Sequence, residues 1–336
     1  MRATRRRLLL SDSMLTDRRT LLLGSLALCA LPLAACGPAA QEAKADDPQA
    51  PVPDIAAALA ALEAKSGSVR LGLAVLDGRD GAVAGHRLAE RFTMCSTFKL
   101  SLAAAIFAQI DAGKIGDDLA LPLVREEAVG HAPVVKAALA AGERRMTVLA
   151  LAKAAQVESD NGAANILLRH IGGPEALTAF WRSLGDDVTR LDRYEPALNV
   201  SHGDDHRDTT TPAAMAGAMR AMFTGAALSP TSRERLIGWT IETRTGLKRL
   251  RGGLPADWRA GDKTGTNPGD GSYASKTNDL ALLWHPARAE PFFITGFLES
   301  PVKGEPAMLP EHDAVLAQAG RIAAQWIAAR VGVPKA

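Results

Sequence analysis

Hydrophobic positions change their period twice along the chain. Ile55, Leu59 and Leu62 recur at helical spacing before Gly67, which predicts a first amphipathic helix. Residues 69–76 are rich in β-formers, Gly78 and Gly81 punctuate a turn, and residues 82–88 can supply the second strand of a hairpin. Helical spacing then takes over. Leu100, Ala103, Ala104, Phe107 and Ile110 form one apolar surface, and the middle of the chain stays helical, most clearly over 146–157, 163–169, 174–184 and 212–223. Strands return at 259–266, 279–284 and 292–298. A last helix, about 310–331, carries the stripe Val315, Ala319, Ile322, Trp326 and Ile327. Strands at both ends of a helical middle predict an α/β fold of two lobes. One lobe, residues 53–94 and 243–336, is an antiparallel sheet with terminal helices; the other, residues 95–242, is an inserted all-helical lobe. The site is expected at their seam.

Composition changes this picture mainly at the N-terminus. Arg5 to Arg7, then Arg18 and Arg19, precede an apolar run over 21–35 that is short for a membrane span. Residues 1–36 therefore read as an export signal. The run ends in Leu33-Ala34-Ala35-Cys36, which resembles a bacterial lipoprotein processing site with Cys36 as the lipidated residue. Arg18-Arg19 followed by Thr20 to Gly24 resembles a twin-arginine signal, and Met14 is an alternative start. The plainer readings are an uncleaved anchor or a signal peptide in which Cys36 is incidental. Residues 37–52 are rich in Ala, Asp, Gln and Pro without an apolar period, which suits a flexible tether. The expected location is the periplasm, secreted or lipid-anchored to a membrane facing it.

The remaining chain is long enough for a large core. A formal charge of +2 and the absence of a basic stripe with interleaved aromatics argue against nucleic acid. With Cys29 in the leader and Cys36 modified, Cys95 has no evident disulfide partner. Nothing calls for an oligomer, and a monomer is expected.

The candidate chemistry begins with Ser96-Thr97-Phe98-Lys99. Residues three apart share a helical face, so Ser96 and Lys99 can meet if Thr97 begins the helix. A serine hydroxyl needs a neighbour to accept its proton. A neutral Lys99, its pKa lowered by burial, can do this; alternatively a charged Lys99 positions Ser96 for another base. Free N–H groups of the first helical turn would face an oxyanion. Taken singly, S-x-x-K is usually a cap and a solvated lysine. Ser159-Asp160-Asn161 follows a helical run: Ser159 would relay a proton to the leaving nitrogen, Asn161 would bond substrate and Lys99, and Asp160 would fix the turn. Lys263-Thr264-Gly265 lies on a strand. There Lys263 and Thr264 supply a charge and a hydroxyl for a substrate carboxylate, Gly265 leaves room for close substrate approach, and Thr266 adds an oxyanion N–H. In the stretch 193–199, Glu195 can activate a water that Asn199 helps to hold, while Arg193 can pair with Asp208 across the neck of the loop. The bland alternative for each is a cap, a polar edge strand or a solvated loop.

In this order, the four elements resemble those of class A serine β-lactamases across about 55–331. The resemblance implies the serine β-lactamase/transpeptidase-like fold, β-lactam ring opening by an acyl-enzyme on Ser96, and release by Glu195-activated water. It implies β-lactam antibiotics as partners, with penicillins and cephalosporins the expected substrates, and neither cofactor nor metal. It leaves Lys99 and Glu195, the latter through water, as rival acylation bases, and suggests a cis Glu195–Pro196 bond. Arg249 resembles an auxiliary arginine that binds the substrate carboxylate, with a structural salt bridge as its alternative. His131 falls where relatives place an aromatic pocket wall, or is a rim residue. Cys95 precedes the nucleophile as in broad-spectrum members, but Asn267 replaces the cysteine with which some carbapenem-hydrolysing members pair it. The segment 267–277 reads as longer than usual, and His202 and His206 lack convincing metal spacing. The rival functions are a penicillin-binding transpeptidase or carboxypeptidase, which has less need of Glu195 and Asn199, and a non-catalytic cell-envelope binding protein.

Overall fold

A computed structural model describes residues 54–200, 203–269, 274–301 and 310–332. The leader, the tether and Cys36, together with His202 and residues 270–273 of the expected long turn, lie outside the described residues. Helix α1 (Ile55–Lys65), capped by Asp54, leads into β1 (Arg70–Asp77), β2 (Val83–His86) and the short β3 (Phe92–Thr93). A helical region follows: α2 (Phe98–Asp111), β4 (Ala120–Pro122), α3 (Pro133–Ala140), β5 (Arg145–Thr147), α4 (Val148–Val157), α5 (Asn161–Ile171), α6 (Pro174–Ser183), β6 (Thr209–Thr210), α7 (Pro212–Thr224) and α8 (Pro230–Glu242). The chain closes with β7 (Arg259–Asn267), β8 (Ser275–Trp284), β9 (Phe292–Ser300) and α9 (Pro310–Gly332).

The main sheet has the order β2-β1-β9-β8-β7 and is antiparallel throughout, so its central pairing joins the first and last strands of the chain. Residues on a strand alternate between faces, and both faces here are covered. Leu71, Leu73, Val75, Ala281, Leu283, Ile294 and Leu298 pack with Leu59 of α1 and with Leu316, Ala319 and Ile327 of α9. Ala74, Leu76, Leu280, Leu282, Phe293 and Phe297 face the other way, into a core that runs on through α2, α4, α5 and α7. This two-sided burial explains the imperfect alternation in 69–76: β1 is buried from Leu71 to Asp77. Two short ladders, β3 with β6 and β4 with β5, punctuate the helical region.

Helix α2 passes through the middle of that region, with every residue from Phe98 to Phe107 buried. It is wider than the single stripe read from the sequence; a helix apolar all round belongs inside a core. Lys99 and Ser101 are its two polar intrusions. Ser101 accepts a hydrogen bond from Trp181 Nε1 at 2.9 Å, which leaves Lys99 as the charge the fold must accommodate. Helices α3 and α8 were not among the clearest pieces of the sequence. Both start with proline at the first turn, and α8 is additionally capped by the Ser229 hydroxyl.

The end of β1 is fastened to the C-terminal helix by charge. Asp77 is fully buried and accepts from Arg288 Nη1 at 2.9 Å, Arg330 Nε at 2.8 Å and the Arg79 N–H at 2.9 Å. Burial alone would raise its pKa, but these donors outweigh that and hold the carboxyl at about 2 against an ordinary 3.8. A depressed acid stabilises the fold above its unfolded pKa and loses that contribution as pH falls through the folded one. Asp77→Asn is therefore expected to cost ~2 kcal/mol at pH 7. Denaturant unfolding across pH should show the gap to the unsubstituted protein narrowing between about pH 4 and pH 2.

Candidate active site

The site forms where the start of α2, the start of α5, the loop around Glu195 and strand β7 converge. Ser96 sits in a 3-10 turn, Cys95–Thr97, and α2 proper begins at Phe98, one residue later than the sequence suggested. The meeting with Lys99 still occurs: Lys99 Nζ donates to Ser96 Oγ at 2.9 Å. The same amine lies 2.6 Å from Asn161 Oδ1, 2.9 Å from the Ser159 carbonyl and 3.0 Å from Glu195 Oε1. Burial pushes the pKa of Lys99 below the ordinary lysine range, and the Glu195 carboxylate opposes that shift.

Glu195 closes a triangle with the nucleophile and Lys99. Ser96 Oγ is 3.2 Å from Glu195 Oε1, while Asn199 Nδ2 donates to Glu195 Oε2 at 2.6 Å. The Glu195–Pro196 bond is cis. Helix α5 grips the loop from below through Asn165, whose side chain accepts from the Glu195 N–H and donates to its carbonyl, both at 3.0 Å. Asn165 was absent from the sequence reading. Its signal was available: it lies four residues after Asn161, on the same helical face, within an otherwise apolar stretch. At the neck of the loop, the buried Asp208 accepts from the Asp192 and Arg193 N–H groups and pairs with Arg193 Nε at 2.5 Å. Arg193 also donates to the Val200 carbonyl, closing the loop on itself.

Asp160 is the strut of the second motif. Its Oδ1 caps α5 at Ala163 N, 2.8 Å away, while Oδ2 accepts from Val134 N and Val135 N at 2.8 and 3.0 Å. One carboxylate thus satisfies otherwise orphaned donors at the starts of two helices. Between its neighbours, Ser159 takes a left-handed φ of 57°, and its hydroxyl accepts from Lys263 Nζ at 3.0 Å. Lys263 is fully buried; desolvation, aided by the charge of Lys99, pushes its pKa well below the usual range.

Strand β7 supplies the remaining wall. Thr264 Oγ1 lies 2.7 Å from Thr245 Oγ1, a partner the sequence did not single out. Gly265 requires a correction. Its bare face is filled by the nucleophile's own turn, since an added Cβ would come within 2.6 Å of the Met94 carbonyl and 3.1 Å of Cys95 Cβ. The glycine is explained by chain packing rather than by close substrate approach. Cys95 is buried, unpaired and at φ 48°, and burial pushes its thiol up to about 12.

Arg249 makes the structural salt bridge that was one of the two roles weighed for it. Nε pairs with Asp313 at 2.9 Å, Nη1 donates to the Gly265 and Asn278 carbonyls, and Nη2 donates to Thr266 Oγ1 at 2.8 Å. It is a salt-bridged strut whose guanidinium borders the cavity. That cavity, about 420 Å³, is lined by Ser96, Ser159, Asn161, Glu195, Asn199, Thr245, Thr264, Thr266, Arg249 and His131. His131 stands at the exposed rim with Nε2 2.9 Å from the Glu158 carbonyl. Among the described residues, no cluster of His, Cys, Asp or Glu is arranged to hold a metal ion.

A hydroxyl within reach of both a buried amine and a carboxylate, beside a cavity lined by hydroxyls and amides, has the geometry of a serine acyl-transfer site. The sequence model of the β-lactamase enzyme family matches residues 54–327. The chain is 43% identical over 268 residues to β-lactamase L2 of Stenotrophomonas maltophilia, covering 80% of this chain and 84% of that protein. A solved ancestral class A β-lactamase superposes with a TM-score of 0.72 at 48% identity, covering 80% of this chain and 98% of that one. The structure of L2 complexed with relebactam gives 0.73 at 43% identity, covering 80% and 95%. The chain belongs to the class A β-lactamase family, and its activity is β-lactam hydrolysis.

The double cap gives a direct test. Asp160→Ala leaves three N–H groups without their acceptor and is expected to lower the unfolding free energy by about 2–3 kcal/mol in urea titrations. Asp160→Asn, which keeps one carbonyl oxygen, should lose less.

Proposed function

We propose that the enzyme hydrolyses penicillins and cephalosporins through an ester on Ser96 that a Glu195-activated water releases. The observation that carries this reading is the position of one carboxylate: Glu195 Oε1 is 3.2 Å from Ser96 Oγ, and its other oxygen is held by Asn199. Ester formation already has Lys99 as a proton acceptor, whereas ester release needs a base for water, and Glu195 is the carboxylate beside the nucleophile. Asn199 Oδ1 is buried without a protein partner, which gives a water that attacks the ester a second acceptor beside Glu195.

Ser96 Oγ attacks the lactam carbonyl carbon, and its proton enters the shared network of Lys99 and Glu195, both within reach of that oxygen. The Ser96 and Thr266 N–H groups are assigned to the oxyanion. The ring C–N bond then breaks, and the nitrogen takes a proton through Ser159, which Lys263 supports. Lys263, Thr264 and Arg249 provide the positive, hydrogen-bonding wall for the substrate carboxylate. In the second half, water gives its proton to Glu195 as it attacks the ester carbon, and Ser96 recovers its proton when the C–O bond breaks. Export by residues 1–36, lipidation at Cys36, a periplasm-facing location and a monomeric state are also proposed, on the sequence features already described.

Time-resolved intact mass with benzylpenicillin and a cephalosporin tests the cycle. Ser96→Ala should show neither adduct nor turnover; full turnover by that variant would reject Ser96 as nucleophile. Glu195→Gln should form the ester and release it about a hundredfold more slowly or worse. Unchanged single-turnover release would remove Glu195 from its role.

A further inference from the structure

We propose that Asn267 is a positioning residue for ester hydrolysis, a brace from strand β7 that fixes Asn199 and through it the Glu195 carboxylate. The inference rests on the hydrolytic reading above. Asn267 ends β7 immediately after Thr266 and is 8% exposed. Its Nδ2 donates to the Asn199 carbonyl at 2.7 Å, and its Oδ1 accepts from the Gly269 N–H at 3.2 Å. A peptide carbonyl can only accept and a peptide N–H can only donate, so the two contacts fix the orientation of the amide.

Asn199 is thereby held at both ends. Its carbonyl is tied to the strand, while its Nδ2 donates to Glu195 Oε2 at 2.6 Å and to the Pro196 carbonyl at 2.9 Å. The Asn199 N–H also bonds the Pro196 carbonyl within the loop's own turn, and Arg193 holds the next carbonyl, of Val200; among the described residues, only Asn267 ties Asn199 to the strand. Asn165 clasps the peptide groups of Glu195, and Asp208 with Arg193 closes the neck. The brace therefore sets where the Asn199 side chain stands, and with it the second carboxylate oxygen. Ester formation keeps Lys99 as a second proton acceptor, held by Asn161 and the Ser159 carbonyl through contacts that do not pass through Asn267, whereas release relies on Glu195. Loss of the brace should thus fall on release of the ester and spare its formation.

Two substitutions separate this from a turn cap. Asn267→Asp keeps an acceptor for Gly269 N–H but places an oxygen against the Asn199 carbonyl; Asn267→Ala removes both bonds. Both variants are expected to release the benzylpenicillin ester about tenfold more slowly, the worth of one well-placed hydrogen bond. Intact mass would then show accumulated ester, and kcat and KM would fall together with kcat/KM nearly unchanged. Release at the unsubstituted rate by Asn267→Asp would overturn the brace and leave only a turn cap. Equal slowing of formation and release in both variants would overturn it as well, since that marks general distortion. If the unsubstituted protein itself forms no ester, or never releases one, the hydrolytic reading fails first, an outcome distinct from a turnover that ignores residue 267.

Discussion

The structure is organised around one buried amine, that of Lys99. Lys99 is fully buried in the first turn of a helix that is itself buried through Phe107. A charge in that position is tolerated only if protein oxygens replace its hydration. They come from Ser96 on its own turn, from Ser159 and Asn161 at the start of α5, and from Glu195 on a distant loop. None of these segments can withdraw without weakening the solvation of the charge, so satisfaction of one side chain and assembly of the site are the same event. The second amine, Lys263, raises the demand. Two neighbouring buried cations repel, and Ser159 Oγ with the Thr264 carbonyl holds the second in place.

Backbone constraint supports the side-chain network. Among the described residues, non-glycine residues with left-handed φ include Cys95 beside the nucleophile, Ser159 in the second motif and Asp208 at the loop neck. Residues held in this sparsely populated region gather at functional sites because the surroundings over-determine them. The fit between Gly265 and the Met94–Cys95 turn belongs to the same pattern. Asn278, opposite Gly265 on β8, adds to it by donating to the carbonyls of Thr93 and Met94. The nucleophile's turn is thus seated on the sheet as well as in the helical core.

Much of this was legible in the sequence, for reasons of range. Ser96 and Lys99, or Ser159 to Asn161, lie within one helical turn of each other, so their chemistry follows from local geometry. Most of the helices, though not α3 or α8, and the last three strands were visible from periodicity and turn residues. What failed to read was set by partners far along the chain. Gly265 looked like an opening for a ligand because Met94, which fills the space, lies so far upstream. Arg249 could not be assigned between binding and bracing because Asp313 is 64 residues away. Asn165 was passed over because its spacing from Asn161 marks a shared helical face but does not reveal the remote peptide it clasps. The first strand alternated poorly because helices cover both of its faces.

The last helix has a consequence of its own. Near its start, Asp313 pairs with Arg249 at the border of the cavity; near its end, Arg330 pairs with Asp77 at the far end of β1. The two clasps are separated by roughly 25 Å of helix. A rigid rod pinned at both ends acts as a gauge. Adding or deleting a single residue between the pins would turn one anchor by about a quarter of a revolution relative to the other, so the two could no longer close together. The length of the C-terminal helix is thereby calibrated to the cavity wall, and damage at the tail of the chain has a mechanical route to the arginine that borders the reacting groups.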